Sequence, residues 1–391
     1  MNSSIWARCP IRSSTVTERN VSPAAVPDAE ADGTVIHRVV TPRGLVLFAA
    51  LIIAGVGAVL ASLAWGSVSI PIDQVFTILA GGEPTRRTWS GIVTILRLPR
   101  TITAVIAGAA IGLAGLIMQT MFRNALADPY VLGVSSGASL GVGLVILPQG
   151  ANAGLSAAVL SAVGPMQSLG VVGAAAIGAL VVLLIMSAIA ARVQNLVIVL
   201  VAGIMVSAFI SAIVNVLVHF ARPEAVKAFT SWQFGTFSGL RTEQLPVLAV
   251  AVAAGIAVLA LSTKQLNVSL LGEHYAQSMG MSVRGMRVAT LASTALLAGA
   301  VTAFAGPIAF LGIAAPHLAR GLFRTTDHRI LIPATALVGI LIALAAGIFA
   351  QLPGLDSDAI LPLNAALALI GAPIVMRVLL RIHRTQGGFS L

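Results

Sequence analysis

Catalysis needs a nucleophile, an acid, a base or a metal-ligand cluster gathered in one pocket, and the residues of this chain are spaced against all four. Its apolar stretches hold no paired carboxylates and no close pair of histidines. All 13 acidic residues fall near the start of the chain or between apolar runs: Glu18, Asp28, Glu30, Asp32, Asp73, Glu83, Asp128, Glu224, Glu243, Glu273, Asp327, Asp356 and Asp358. No carboxylate therefore stands at membrane depth, where ion-coupled carriers commonly keep one. A Walker-type phosphate loop requires Gly-Lys followed by Ser or Thr, yet the lysines occur in AVKAF (Lys227) and STKQL (Lys264). The single Cys9 excludes a disulfide framework and a cysteine-based metal site. No catalytic residue, resident cofactor or metal site is expected. Energy for active transport would have to come from outside the chain.

One cluster of polar side chains remains, the run LLGEHYAQSMGMSV at 270–283. Between Gly272 and Gly280, which can stop a helix at either end, EHYAQSM has room for about two helical turns. Leu271, Tyr275 and Met279 then form one stripe at i, i+4 and i+8, with Glu273 and Gln277 beside it. Such a helix can rest on the bilayer surface or enter a cleft in another protein. Surface-lying helices are usually rich in Lys and Arg, and this one has neither. A protein partner fits it better.

The elements that carry this run are read from composition and hydropathy. The 391 residues are 58% hydrophobic and 9% charged, and the mean hydropathy is +0.99. Apolar runs reach the roughly 20 residues that cross a hydrocarbon core as helix, and no stretch alternates as a strand would. The fold class is an all-α polytopic membrane protein of about ten spans: 44–66, 98–121, 131–148, 170–192, 196–220, 244–263, 285–305, 307–322, 330–350 and 359–380. Residues 1–43 read as a disordered cytoplasmic extension, with the first span as an uncleaved signal anchor. Residues 44–384 form the membrane domain, with the polar segment at 268–283 between spans six and seven, and 385–391 form a short cytoplasmic tail.

Charge orients the spans. Arg86, Arg87, Arg97, Arg100, Arg222, Lys227 and Arg241 fall in two outer connections when both termini are inside, and the other basic residues fall inside. The net charge of +10 is thus dispersed between apolar runs, which argues against nucleic acid as a partner. Trp65, Trp89 and Trp232 are expected at the outer interface. A repeat is visible as well: AGAAIGLAG (107–115) matches AGAVTAFAG (298–306) at five of nine positions, followed by LGVSSGA from Leu132 and LGIAAPH from Leu311. Small residues at this spacing also arise from close helix packing alone. With span two running inward and span seven outward, a duplicated unit covering spans 2–5 and 7–10 would be inverted, as in many transporters.

The stretches LRLPRTITAVIAGAAIGLAGLIMQTMFRNALADPYVLGVSSGASLG (96–141), LLGEHYAQSMGM (270–281), GPIAFLGIAAPHLAR (306–320), TDHRILIPATALVG (326–339) and LIGAPIVMRVLLR (369–381) closely resemble the FecCD family of ABC importer permeases. These are membrane subunits of binding-protein-dependent importers of iron siderophores, haem and vitamin B12. The resemblance implies a type II ABC importer permease fold in the bacterial cytoplasmic membrane, paired with an identical or paralogous second permease subunit. It implies two cytoplasmic ATPase subunits, which bind the ATP and Mg, and an extracytoplasmic substrate-binding protein. Carried onto this chain, Gly272, Glu273, His274, Ala276, Met279 and Gly280 fall on the segment that couples to the ATPase. Arg97 and Arg100 of RLPR fall on the residues that dock the binding protein. Gln351 and Ile360 depart from the family pattern on the same face.

By the same resemblance Asn124 and Leu126, with Leu196 and Val197, correspond to a cytoplasmic gate. His219 and Phe220 at the outer end of span five are candidates for the substrate path or for interface packing. His317 is expected to be a packed structural histidine. A secondary carrier or channel, with the polar run incidental, is the alternative to an ABC permease.

Overall fold

The computed structural model describes residues 42–148, 167–193, 196–351 and 361–386, and among these every regular element is helical. The described residues lie within one compact unit, Val39–Leu391. Residues 1–41, and Ile360 among the later positions singled out from sequence, fall outside them. In chain order the helices are α1 (Pro42–Ala64), α2 (Ile72–Leu79), α3 (Arg87–Met121), α4 (Val134–Ile146), α5 (Gln167–Arg192), α6 (Leu196–His219) and α7 (Pro223–Gln233). They continue with α8 (Leu245–Leu261), α9 (Thr263–Ser269), α10 (Glu273–Ser278), α11 (Val283–Ala305), α12 (Leu311–Phe323), α13 (His328–Phe349) and α14 (Leu363–Gln386). Each of the ten apolar segments read from sequence corresponds to one of these helices. Among the described residues, seven helices are long and apolar enough to cross a membrane.

α3 is the centre of the bundle, with 78% of its apolar window buried, whereas α1 is peripheral with 6% buried. The helix also starts further out than the hydropathy suggested, at Arg87 instead of residue 98. Pro99 supplies no N–H and its ring would strike the carbonyl four residues back. The chain accommodates it by widening to a π-helical stretch, Ile92–Arg97, before regular helix resumes at Leu98.

Small residues set the helix spacing. A Cβ on Gly108 would fall on the Gly339 carbonyl of α13, and one on Gly339 would fall on Gly108. One on Gly115 would land in the Gly312 backbone of α12, and Gly137 and Gly178 stand in the same relation between α4 and α5. Backbone-to-backbone approach of this kind gives dispersion contact that lipid cannot match.

The helix pairings also identify the duplication. Exchanging α3 with α11, α4 with α12 and α5 with α13 turns the α3–α13 contact into α11–α5. The same exchange turns α3–α12 into α11–α4, and α4–α5 into α12–α13; all six pairs pack together. The matched glycines follow the rule, since Gly108 meets α13 and Gly299 faces Ala179 of α5. Convergent small-residue packing would not produce this reciprocity.

α4 and α12, each of 13 residues, are only about 20 Å long at 1.5 Å per residue, short of a roughly 30 Å hydrocarbon core. Both follow a break in regular α-helix: ADPYVLG, which holds a 3-10 turn at Pro129–Leu132, leads into α4, and non-helical chain at 306–310, within GPIAFLG, leads into α12. Gly312, at the start of α12, packs against Gly115 in the last third of α3, so the lead into α12 runs deep in the bundle. Irregular backbone there must be satisfied by protein. The Tyr130 hydroxyl accepts from the Ile308 N–H at 3.0 Å, and Asn364 Oδ1 accepts from the Ala309 N–H at 3.0 Å. Asn364 Nδ2 also donates to the Pro307 carbonyl at 2.9 Å.

Candidate functional site

The polar run folds as anticipated, as a short helix, seated at the edge of the bundle. Gly272 and Gly280 bracket α10 with φ of 117° and 78°, values that side-chain-bearing residues rarely adopt. Ala276 is fully buried and seats the helix, while Leu271, Tyr275 and Met279 are 65%, 56% and 54% exposed. The stripe therefore points away from this chain's core. An exposed apolar stripe on a six-residue helix and its flanking residues Leu271 and Met279 is unusual unless something covers it. The side chains of Glu273 and His274 lie outside the described set.

Behind α10 stands a polar network that the sequence did not single out. Asp327 can only accept, so Asn267 of α9 turns its Nδ2 to Asp327 Oδ1 at 2.7 Å. Its Oδ1 then receives the His328 backbone N–H at 2.9 Å and faces His328 Nδ1 at 2.7 Å. That assigns the Nδ1 proton to the imidazole. Nε2 lies 2.9 Å from the Thr120 hydroxyl on α3, and the imidazole is 1% exposed. Alongside, Arg123, held at φ 47° to end α3, donates to the Ser269 carbonyl at 2.8 Å. Arg320 of α12 donates to Gln119 of α3. The segment that carries α10 is thus bolted to the ends of α3 and α13.

At the opposite ends of these helices, Arg97 and Arg100, the arginines expected at the docking face, are buried. Arg97 is 5% exposed; its Nη1 donates to the Leu63 and Ala64 carbonyls at 2.7 and 2.9 Å, and its Nη2 to the Val68 carbonyl. Arg100 is 9% exposed and donates to the Gly347 carbonyl at 2.8 Å. The final carbonyls of α1 and α13 have no helical partner, and a cation at a helix C-terminus also meets the negative end of its dipole. The two arginines cap those helices. Gln351 lies beside Arg97, both against Gly66. Exposed cations at this end are Arg86, Arg87, Arg222, Lys227 and Arg241, and Arg86 sits over the Trp89 ring at 5.4 Å.

The FecCD transport family profile matches residues 50–381. The chain belongs to that family. It is 34% identical over 294 residues to the hemin transport system permease protein HmuU of Yersinia pestis, covering 75% of this chain and 84% of that protein. It is 33% identical over 290 residues to the vitamin B12 import system permease protein BtuC of Salmonella paratyphi A, covering 74% and 83%. A solved structure described as an inward-facing metal-chelate type ABC transporter superposes with a TM-score of 0.74 at 24% identity, covering 86% of this chain and 99% of that one. The type II permease architecture expected from the family motifs is the fold observed.

The remaining family positions occupy separate places in this FecCD chain. Asn124 and Leu126 follow α3, where Asn124 Oδ1 accepts from the Leu126 N–H at 3.0 Å. Leu196 and Val197 open α6, with the side chain of Leu196 outside the described set. Leu126 and Val197 are 43% and 65% exposed. His219 and Phe220 pack edge to face with ring centroids 5.0 Å apart, both exposed at the far end of α6. His317 is half-buried with Nδ1 3.1 Å from the Ile313 carbonyl, as a packed histidine would be. Among the described residues no group of three or more His, Cys, Asp or Glu side chains could hold a metal.

Proposed function

We propose that this protein is the membrane permease subunit of a binding-protein-dependent ABC importer for a metal chelate, with an iron siderophore as its leading cargo and haem or cobalamin as the other members of the class. The observation that carries the reading is α10: a glycine-bracketed helix with an exposed apolar stripe, bolted through Asn267 to the bundle. The chain has no phosphate-binding loop of its own. In this reading Gly272, Glu273, His274, Ala276, Met279 and Gly280 form the coupling element. Closure of a separate ATPase pair displaces it, and the bundle follows as a rigid body.

Two copies of this chain, or this chain and a paralogue, would enclose the path, with two ATPase subunits holding ATP and Mg. Both termini would lie on the cytoplasmic side of a bacterial inner membrane. Asn124, Leu126, Leu196 and Val197 would form the inner constriction, and His219 and Phe220 would stand at the outer mouth. Arg97 and Arg100 would act on binding-protein docking by holding the outer ends of α1 and α13, with Arg86, Arg87, Arg222, Lys227 and Arg241 meeting the acidic partner directly. Exposed pairs of this kind guide encounter more than they add affinity.

The test is reconstitution in proteoliposomes with the partner ATPase and the cognate binding protein. Chelate uptake should require ATP and all components. Uptake by this chain alone would refute the proposal.

A further inference from the structure

One polar feature of the bundle has no part in coupling, docking or gating. A cavity of about 350 Å³ opens where the two broken segments approach α6, and its walls include Tyr130, Ser135, Ser139, Ser211, Asn215 and Gln233. Among the described residues, no carboxylate, ammonium, guanidinium or imidazole lines it. Two further serines on its wall are already paired, Ser136 to the Gly133 carbonyl and Ser207 to the Gly203 carbonyl, both at 2.8 Å. Among the described residues, the side chains of Ser135, Ser139, Ser211, Asn215 and Gln233 make no hydrogen bond. A hydroxyl or amide kept from water without a partner costs about 1–3 kcal/mol, so this wall is wet when empty and ready for a polar guest.

Its place in the fold points the same way. Ser207, Ser211 and Asn215 recur at i, i+4 and i+8 on α6, while Val201, Met205 and Phe209, 48%, 58% and 70% exposed, form an apolar stripe elsewhere on the helix. Tyr130 and Pro307 come from ADPYVLG and GPIAFLG, the corresponding interruptions of the two halves, and paired interruptions of this kind mark substrate sites in repeat-built transporters. At about 350 Å³ the cavity is near the lower end of the ~300–1,000 Å³ range of small-molecule sites. It can receive one edge of a chelate but cannot enclose a large one.

We infer that this cavity is a contact site for the cargo in transit, and that it selects chelates whose outer surface carries uncharged hydrogen-bonding groups, such as hydroxamates, amides or carboxamides. Hydroxyl and carboxamide side chains both donate and accept, so they pair with either end of an amide dipole. An ionised carboxylate or catecholate entering a wall without a cation would lose hydration that nothing there replaces. The inference rests on the permease reading and narrows its cargo.

The test uses the complete importer in vesicles, with Cys9→Ser removing the native thiol and Asn215→Cys or Met205→Cys introducing a single new one. A neutral ferric trihydroxamate at about ten times its Kd should slow maleimide labelling of Asn215→Cys about tenfold and leave Met205→Cys unchanged. A multiply anionic ferric tricatecholate should protect neither. Equal protection by both chelates, or none by the trihydroxamate, overturns the inference. As a second measurement, Ser211→Val with Asn215→Leu should lower ATP-driven chelate uptake about tenfold with hydrolysis retained, the loss expected if about 1.4 kcal/mol of cargo contact is removed. Uptake at the unmodified rate would overturn the cavity's role and leave the permease reading standing; no ATP-dependent uptake of any chelate by the unmodified importer would sink both.

Discussion

Replacing Asn267 by Leu should loosen the attachment of α10 to the bundle without removing either. Asn267 makes two contacts with His328, through the backbone N–H and the ring, and one with the Asp327 carboxylate. Neutral hydrogen bonds contribute about 1 kcal/mol each and one to a charged group about 1.5–3 kcal/mol, so the three together are worth about 3.5–5 kcal/mol. The loss is local, because the apolar seat of α9 through Leu266, fully buried, is untouched. Leucine also leaves the imidazole, 1% exposed, without its Nδ1 partner. The assay is the number of chelates taken up per ATP hydrolysed in proteoliposomes containing the whole importer. Asn267→Leu should assemble with the ATPase and hydrolyse ATP while uptake per ATP falls severalfold. Asn267→Asp should behave similarly, since it sets a second carboxylate against Asp327. Intact assembly with an unchanged ratio of uptake to hydrolysis would refute the claim that force passes through this residue.

Tyr275→Ala combined with Met279→Asp removes two of the three side chains of the exposed stripe at α10 and should abolish co-purification of the ATPase while leaving membrane insertion intact. Gly272→Ala forces a Cβ into φ 117°, and should weaken ATPase association without any steric clash, since no atom lies within 4 Å of the new methyl. Gly115→Val drives a side chain into the Gly312 backbone; overpacking costs roughly 1–3 kcal/mol or more, which should appear as a lowered melting temperature in detergent. Arg97→Ala should also lower the melting temperature, because it strips three carbonyls of their donor, and should change binding-protein association less than Arg86→Glu with Arg87→Glu. The latter pair should slow association most at low salt, where screening is weakest.

The ten apolar segments were legible because hydropathy is a signal contained within each segment, even where, as in α4 and α12, the helix is too short to span. The repeat was legible for a related reason, since the Gly339 backbone of α13 leaves room only for glycine at Gly108, and Gly299 recurs at the matching place in the second half. What escaped were features made by residues distant in the chain. Thr120, Asn267 and His328 carry no local pattern that would unite them, and only the tertiary fold brings α3, α9 and α13 to one point. The burial of Arg97 and Arg100 escaped for the opposite reason. A charged residue beside a span reads as solvent-facing, and nothing in RLPR reveals that the uncapped ends of α1 and α13 lie within its reach. The cavity did leave a trace, since Ser207, Ser211 and Asn215 interrupt an otherwise apolar helix at helical spacing, and ADPYVLG and GPIAFLG break the two halves at matching points.

These features also explain how a six-residue helix could act on a cavity in the bundle. α9 is joined by hydrogen bonds to the ends of α3 and α13, and α3 meets α12 and α13 through glycines whose backbones touch. Side-chain packing can relax around a displacement, but backbone contact at Gly115–Gly312 has no rotamers to absorb one. A push on α10 is therefore expected to move α12 together with α3, and with α12 the Pro307 segment that forms part of the cavity wall. Contiguity of this sort does not by itself demonstrate energetic coupling. The Asn267 measurement supplies that demonstration: a severalfold loss of uptake per ATP, with the cavity residues unaltered, places the transmission in the hydrogen bonds behind α10 and not in the cargo contacts themselves.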